Sequence, residues 1–391
     1  MKSIGLIFFV YIILGVSGNL CARDITVHNS TELLNSLQKA PDIDTILLEP
    51  GEYTGGIYIQ GISGRAGAPI TIRGIDPNNP PMFSKGGGQA IQMADCSYIT
   101  LANIRVTGYP VNGINIDDGG SFETTSHHIV LNNITILNTG PKGNHDALKM
   151  SGVDEFVVKN CCFEGWGGSG IDMVGCHNGK IMDCTFVGKE GYSQSNGVQL
   201  KGGTSNVAVE ACLFGNAGYR SINLGGSTGL QFFRPGVDDY EATNITVAGN
   251  RFIGSMSPIA WVTAKGGHVH HNTIIFPEKW ILRILQETKD TKFKPCHDGI
   301  FENNLIIYDS KVDVFVNIGP RTAPETFRFR NNAWHQVDGN GRKPVLPTPE
   351  ENGIYNVKVS VNPQSLLGIM QVDDPELLDC VGAQSYKPNG Q

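Results

Sequence analysis

A repeated pattern of apolar residues is the feature that most constrains the fold of this 391-residue chain. In seven short segments, two apolar residues stand at positions i and i+2, which is the pattern of one buried strand face. Successive segments begin roughly 23 residues apart, except where two longer loops intervene, and a fixed period of that size predicts a solenoid. The apolar pairs are Ile114/Ile116, Leu148/Met150, Ile171/Met173, Val198/Leu200, Ile222/Leu224, Ile259/Trp261 and Leu282/Ile284.

A second strand recurs inside each period. Its first inward positions are Ile134, Cys161, Cys184, Cys212, Asn250, Asn272 and Asn304, and an isoleucine or phenylalanine follows two residues later. Rungs made only of strands, without helical segments, predict an all-β parallel β-helix in which like residues stack from rung to rung. Cys161, Cys184 and Cys212 are then a buried ladder of thiols. The alternative for these three cysteines is a metal site or a disulfide.

The N-terminus predicts export. One lysine, an apolar run from Ile4 to Val16 and then small residues are typical of a signal peptide, which we assign to residues 1–22. A membrane anchor is the alternative, but this run is short for a span of about 20 residues. We therefore expect a protein that is secreted, either extracellular or periplasmic, and not stably inserted in a membrane.

The remaining residues, 23–391, are expected to form a single β-helix domain with an irregular C-terminal tail, and we expect a monomer. A solenoid needs caps on its end rungs. Asn29 can N-cap a short helix near residues 30–39, with Glu32 completing a capping box. The formal net charge of −7 makes nucleic acid an unsuitable partner.

The residues between the apolar pairs point outward and form a polar stripe. Neighbouring rungs lie about 4.8 Å apart, so the stripe is continuous. Asp146 and Arg220 each stand three residues before a stripe residue, and Lys201 stands two after one. Glycine-rich flanks leave room for a ligand. The alternative is plain solvated surface, with Lys149 and Asp172 as a weak surface ion pair. The stripe consists of Asn115, Lys149, Asp172, Gln199, Asn223, Ala260 and Arg283.

The segments "DTILLEPGEYTGG", "GAPITIRG" and "NNAWHQVD", together with the repeats, resemble the pectate-lyase-like superfamily of right-handed parallel β-helix proteins. The chain is most similar there to polysaccharide lyases of the chondroitinase B and alginate lyase type. This resemblance implies a carbohydrate-active enzyme that cleaves a glycan containing uronic acid by β-elimination.

The same resemblance implies roles for individual residues. Lys201, in "QLKGGTSN", and Arg220, in "AGYRSINLGG", match the lysine and the arginine that carry the chemistry in the chondroitinase B type. The carboxylates that bind calcium just before the family's lysine are missing, because "SQSNGVQL" offers Ser, Gln and Asn. The expected substrate-binding residues are Lys149, Asp172, Gln199, Asn223 and Arg283. We expect Lys201 and Arg220 to lie in one open groove.

Two other functions remain open from the sequence. One is a glycoside hydrolase in which Asp172 acts with Asp146 or Glu241 as the acid and base. The other is a non-catalytic protein that binds glycans on its surface. Calcium is also open, since Asp146 and Asp172 can either bind it with the help of Gln199 or pair with Lys149.

Overall fold

The structure is a computed structural model that describes residues 23–40, 42–339, 342–355, 357, 359–360, 371–372 and 379–388. The predicted signal peptide at 1–22 lies outside the described residues, as do residues 361–370 and 373–378 of the C-terminal region. None of the helices in the described part of the chain is long and apolar enough to cross a membrane.

Ten parallel strands form one face of a β-helix, which we call the front sheet. The predicted repeat found seven of them and missed two at the N-terminal end and one at the C-terminal end. The strands are Ile57–Gln60, Ile91–Ala94, Ile114–Asp117, Leu148–Ser151, Ser169–Val174, Asn196–Lys201, Arg220–Gly225, Ser257–Val262, Leu282–Leu285 and Val316–Ile318.

A second, 25-stranded set of parallel strands covers the rest of the β-helix. These strands are Asp24–Val27, Thr45–Leu48, Glu52–Thr54, Ile70–Gly74, Met82–Lys85, Ser97–Thr107, Ser126–Leu137, Val153–Asp154, Val157–Lys159, Cys162–Glu164, His177–Met182, Thr185–Val187, Thr204–Glu210, Leu213–Gly215, Ala242–Ala248, Arg251–Ile253, Ala264–Lys265, His268–His270, Thr273–Ile275, Ile300–Glu302, Leu305–Tyr308, Arg328–Arg330, Ala333–Gln336, Glu350–Glu351 and Ile354–Tyr355. Val359–Ser360 and Gln371–Val372 form a separate antiparallel pair.

The N-terminal cap is an α-helix at Ser30–Leu37, close to its predicted position. The Asn29 side chain accepts a hydrogen bond from the Glu32 backbone N–H, as the capping box predicts. Leu33 and Leu37 are buried against the core. Short 3-10 helices occur at Leu230–Phe232, Pro324–Thr326 and Ala383–Ser385.

Like residues stack along the core, as predicted. The rings of Phe163, Phe186, Phe214 and Phe252 stack in sequence with centroids 4.8, 4.7 and 4.9 Å apart. Cys161, Cys184 and Cys212 are free and buried, which confirms the predicted interior position of the thiols.

The asparagine ladder is also confirmed, and Asn332 extends it by one rung. Asn272 Oδ1 accepts a hydrogen bond from the Asn250 backbone N–H at 2.9 Å, and Asn304 Oδ1 accepts one from the Asn272 backbone N–H at 2.9 Å. Each buried amide thus satisfies the backbone of the neighbouring rung, which fixes the register of the stack.

Candidate active site

The predicted polar stripe is continuous across the front sheet. Register pairs join all seven of its members, from Asn115 with Lys149 to Ala260 with Arg283. Tyr58 and Gln92 extend the stripe at one end, and Asn317 extends it at the other. Sequence reasoning missed these three because their strands fall outside the clear part of the repeat.

Asp172 lies at the centre of this stripe and is fully buried between two lysines. Its Oδ2 atom is 2.7 Å from Lys149 Nζ, and its Oδ1 atom is 2.9 Å from Lys201 Nζ. The alternative of a weak surface ion pair between Lys149 and Asp172 is therefore wrong. The front sheet puts these residues on adjacent strands, so their spacing follows from the rung repeat.

The electrostatics of the three groups are tightly linked. Burial alone would raise the pKa of Asp172, but the charges of Lys201 and Lys149 outweigh it and hold that pKa below its usual value. Burial alone would lower the pKa of Lys149, but Asp172 and Asp146 outweigh it and raise that pKa. Asp172 and Lys149 are therefore both charged at neutral pH.

Asp146 is the second carboxylate that contacts Lys149, beside Asp172. It is fully buried, and its Oδ2 atom is 3.2 Å from Lys149 Nζ. Its Oδ1 atom accepts a 2.7 Å hydrogen bond from the Ser169 backbone N–H. Burial and the charge of Asp172 raise the pKa of Asp146 to about 6, although Lys149 acts in the opposite direction.

Lys201 and Arg220 approach the middle of the sheet from opposite edges. Lys201 ends its strand, and its Nζ atom donates to Gln199 Oε1 at 3.3 Å. Arg220 begins the next strand, and its Nη1 atom donates to Asn223 Oδ1 at 3.2 Å. Since Gln199 and Asn223 are register partners, the two cations stand on either side of one pair of amides.

Arg220 also has a carboxylate partner. Its Nη2 atom is 2.6 Å from Glu287 Oε1. Arg283 lies near it, donates from Nε to Asn317 Oδ1 at 3.0 Å and packs on the Trp280 ring at 4.5 Å. Burial and the charge of Arg220 lower the pKa of Arg283.

Two adjoining cavities open on the front sheet, where the sequence predicted a single groove. The first, of about 560 Å³, is lined by Lys201, Lys149 and Asp172. The second, of about 720 Å³, is lined by Arg220 and Arg283. Asn144 lines both cavities, so they adjoin at this residue. Lys201 and Arg220 line different parts of this adjoining pair of cavities, because Arg220 enters from the opposite edge of the sheet.

An insertion between two rungs forms one wall of the first cavity. It runs over residues 226–241 and places the half-exposed Phe232 ring and Arg234 beside Lys201. Arg234 forms an ion pair with the buried Asp118 and packs over the Phe122 ring. Sequence reasoning missed Arg234 because an insertion carries no periodic signal.

The Glu241 carboxylate anchors this insertion. It is fully buried and accepts hydrogen bonds from the Gly202 backbone, the Thr228 backbone and hydroxyl, and the Thr288 hydroxyl, at 2.6 to 2.8 Å. Each oxygen accepts two hydrogen bonds from the protein. Glu241 is therefore a structural residue, and the predicted role as a hydrolytic acid or base does not fit its surroundings.

The glycines beside the stripe make room for the chain itself, where the sequence predicted room for a ligand. A Cβ atom at Gly168 would lie 2.5 Å from Asp146 Oδ1, and one at Gly175 would lie 2.5 Å from the Arg234 side chain. A Cβ atom at Gly226 would lie 3.2 Å from the Cβ atom of Lys201. These positions need glycine because loops pack closely on the sheet.

The expected calcium ligands do not fit a metal ion with their present partners. Lys149 occupies an oxygen of both Asp146 and Asp172, and the other oxygens face Ser169 and Lys201. Among the residues that the structure describes, no cluster of three or more His, Cys, Asp and Glu side chains is arranged to hold a metal ion. A calcium ion would have to displace an ammonium group.

Comparison with known proteins confirms the class of fold. The family described as "Right handed beta helix region" matches residues 83–274. This match and the structural neighbours confirm the predicted fold: the chain is a right-handed parallel β-helix. No curated protein sequence matches the chain at a significant level.

The neighbours among solved structures are distant in sequence. An alginate lyase from Paenibacillus sp. is 16% identical with a TM-score of 0.51, covering 81% of this chain and 99% of its own. A pectate lyase is 12% identical with a TM-score of 0.52, covering 79% and 80%. The A-module of an Azotobacter vinelandii mannuronan C-5 epimerase is 11% identical with a TM-score of 0.54, covering 84% and 99%.

Proposed function

We propose that this protein is a carbohydrate-active enzyme, a polysaccharide lyase that cleaves an acidic glycan by β-elimination on the front sheet. The observation that carries the proposal is the pair of cations, Lys201 and Arg220, on either side of the Gln199–Asn223 amides. An alginate lyase and a pectate lyase among the structural neighbours support it.

The carboxylate of the reacting uronate binds in the cavity lined by Arg220 and Arg283. That cavity has two guanidinium groups and one carboxylate, Glu287, so its formal charge is one positive unit (two minus one). A guanidinium presents paired N–H donors that match a carboxylate. The positive charge also stabilises the enolate-like charge that develops next to the sugar carboxylate.

Lys201 then removes the proton from the carbon beside that carboxylate. Only the uncharged amine can accept it, so Lys201 must release its own proton to water before the reaction. The electron pair of the broken C–H bond forms the new C=C bond, and the glycosidic oxygen leaves with the electrons of its C–O bond. The leaving oxygen takes a proton from the Lys201 ammonium or from water.

The burial of the alternative acid and base favours elimination over hydrolysis. Asp146 and Glu241 are fully buried, and the two oxygens of Asp172 face lysines. Hydrolysis requires one carboxyl group beside the leaving oxygen and a second one beside the anomeric carbon or an attacking water. A lysine that lines the cavity, as Lys201 does, suits proton abstraction instead.

An assay on a panel of uronate polysaccharides tests the proposal. The unsaturated product of elimination absorbs ultraviolet light, whereas hydrolysis yields reducing ends without that absorbance. We expect Lys201→Ala to fold normally and to lose roughly two to four orders of magnitude in turnover, because it removes the proton acceptor. Lys180→Ala is the matched control, because Lys180 pairs with Glu210 on another face of the β-helix.

Each other outcome of this assay points to a different function. Full elimination by Lys201→Ala would place the base elsewhere and overturn the assignment. Reducing ends without ultraviolet absorbance would identify a hydrolase. Binding of the glycan without either product would identify a non-catalytic glycan-binding protein.

We also propose that the protein acts outside the cytoplasm and that it is a monomer. Cell fractionation tests the first proposal, and light scattering tests the second.

A further inference from the structure

We infer that the Lys149 ammonium takes the place of a divalent cation in this site, so that the site works without calcium. Two fully buried carboxylates, Asp146 and Asp172, share its Nζ atom at 3.2 and 2.7 Å. The measurements of elimination activity in the test below rest on the proposed function. The measurements of melting temperature with and without calcium do not.

Two carboxylates that lie this close together form the kind of site that a divalent cation such as calcium usually occupies. Two carboxylates without water around them repel each other and need a positive charge between them. Calcium meets that need with oxygen ligands from carboxylates and side-chain amides. Here Lys149 supplies the charge from within the chain, and its own side chain is 27% exposed at the floor of the first cavity.

The register of the front sheet makes this substitution possible. Lys149 and Asp172 are direct partners on adjacent strands, and Asp146 stands three residues before Lys149 on the same rung. Asn115, the partner of Lys149 on the other side, lines the same cavity. Removing the lysine therefore leaves two buried carboxylates around a space of about one ammonium group.

Lys149 acts on the reaction through Asp172, which makes it a positioning residue. Lys149 holds Oδ2 of Asp172, and Asp172 presents Oδ1 to Lys201. If Lys149 were lost, the carboxylate would be free to turn away from Lys201. A bound divalent cation would restore the position of Asp172 by taking the same oxygen atoms.

The test measures melting temperature with excess EDTA and with excess CaCl2. For the wild-type protein we expect no difference between the two conditions. Lys149→Ala should melt lower in EDTA and should gain about a few degrees or more when calcium binds the folded state. Lys149→Gln is the second variant in case the alanine variant does not fold. Lys180→Ala and the double variant Lys149→Ala/Asp172→Asn are the controls, and neither should respond to calcium.

Each outcome decides the inference. A response to calcium confined to the single Lys149 variants supports it. If EDTA lowers the melting temperature or the elimination activity of the wild-type protein and calcium restores it, the inference is overturned. It is also overturned if folded Lys149 variants show no change in melting temperature with calcium, because Lys149 would then only form an ordinary ion pair. If no glycan is eliminated by the wild-type protein, the proposed function fails while the melting experiment still decides this inference.

Discussion

Lys201 and Asp172 lie on adjacent strands of the front sheet, with Lys201 Nζ 2.9 Å from an oxygen of a carboxylate that has no solvent exposure. A charge this deeply buried costs free energy unless it is paired. Lys201 supplies this pairing to Asp172 together with Lys149. The ion pair with this buried carboxylate thus holds the amine of the proposed base in place.

The first prediction concerns Asp172→Asn. The change leaves Lys149 and Lys201 facing each other without the carboxylate that separates them, and breaking a buried ion pair costs about 3–5 kcal/mol. We expect a large fall in the free energy of unfolding, measured by urea denaturation. Asp42→Asn is the control, since its side chain is 79% exposed and should cost under about 0.5 kcal/mol. Equal effects of the two changes would contradict the central role of Asp172.

The second prediction concerns Asp146→Asn and pH. The pKa of Asp146 is raised to about 6 in the folded protein, whereas an unfolded chain has about 4. Between these values the folded state holds more protons, so this carboxyl group lowers the stability of the wild-type protein as the pH rises through that window. The amide does not titrate, so the melting temperature of the variant relative to the wild type should rise from about pH 4 to about pH 7. A difference that is constant with pH, or that moves against the variant, would contradict this.

The third prediction concerns Arg220→Ala. If Arg220 stabilises charge on the sugar carboxylate, its loss should lower kcat by about two to three orders of magnitude. Arg220→Lys keeps the charge without the paired donors, so it should recover only part of the activity. Arg328→Ala, an exposed arginine on a strand of the second sheet, is the control. Steady-state kinetics on the cleaved glycan measure all three, and an increase in KM alone would assign Arg220 to binding.

The fourth prediction concerns Tyr58, which is 53% exposed at the far end of the stripe. It lines a third cavity, of about 430 Å³, that shares Asp117 with the cavity of Lys201. Five strand steps separate Tyr58 from Gln199, which is about 24 Å. Only a long glycan can therefore reach both, and the ring offers a face on which a sugar can stack.

Tyr58→Ala should raise KM for long chains and leave KM for short oligosaccharides unchanged. Tyr58→Phe keeps the ring and should behave like the wild-type protein. Kinetics on size-fractionated substrates measure the effect. An equal change for long and short substrates would show that Tyr58 acts on the fold rather than on the glycan.

The sequence by itself determined the rung architecture and the members of the stripe. Apolar pairs at i and i+2 mark which face of each strand is buried, and the constant period brings Lys149, Asp172, Gln199 and Asn223 into adjacent positions. The ladder of asparagines followed from the same alignment. These features are local and periodic, so a single amino-acid sequence is enough to predict them.

Only the tertiary structure decided what surrounds the stripe. Arg234 meets Asp118 across 116 residues of sequence, and the Glu241 carboxylate is enclosed by donors from three separate segments. The burial of Asp172 and the separation of Arg220 from Lys201 into two cavities depend on how loops pack over the sheet. An insertion has no period, and its path is set by long-range contacts that no spacing in the sequence encodes.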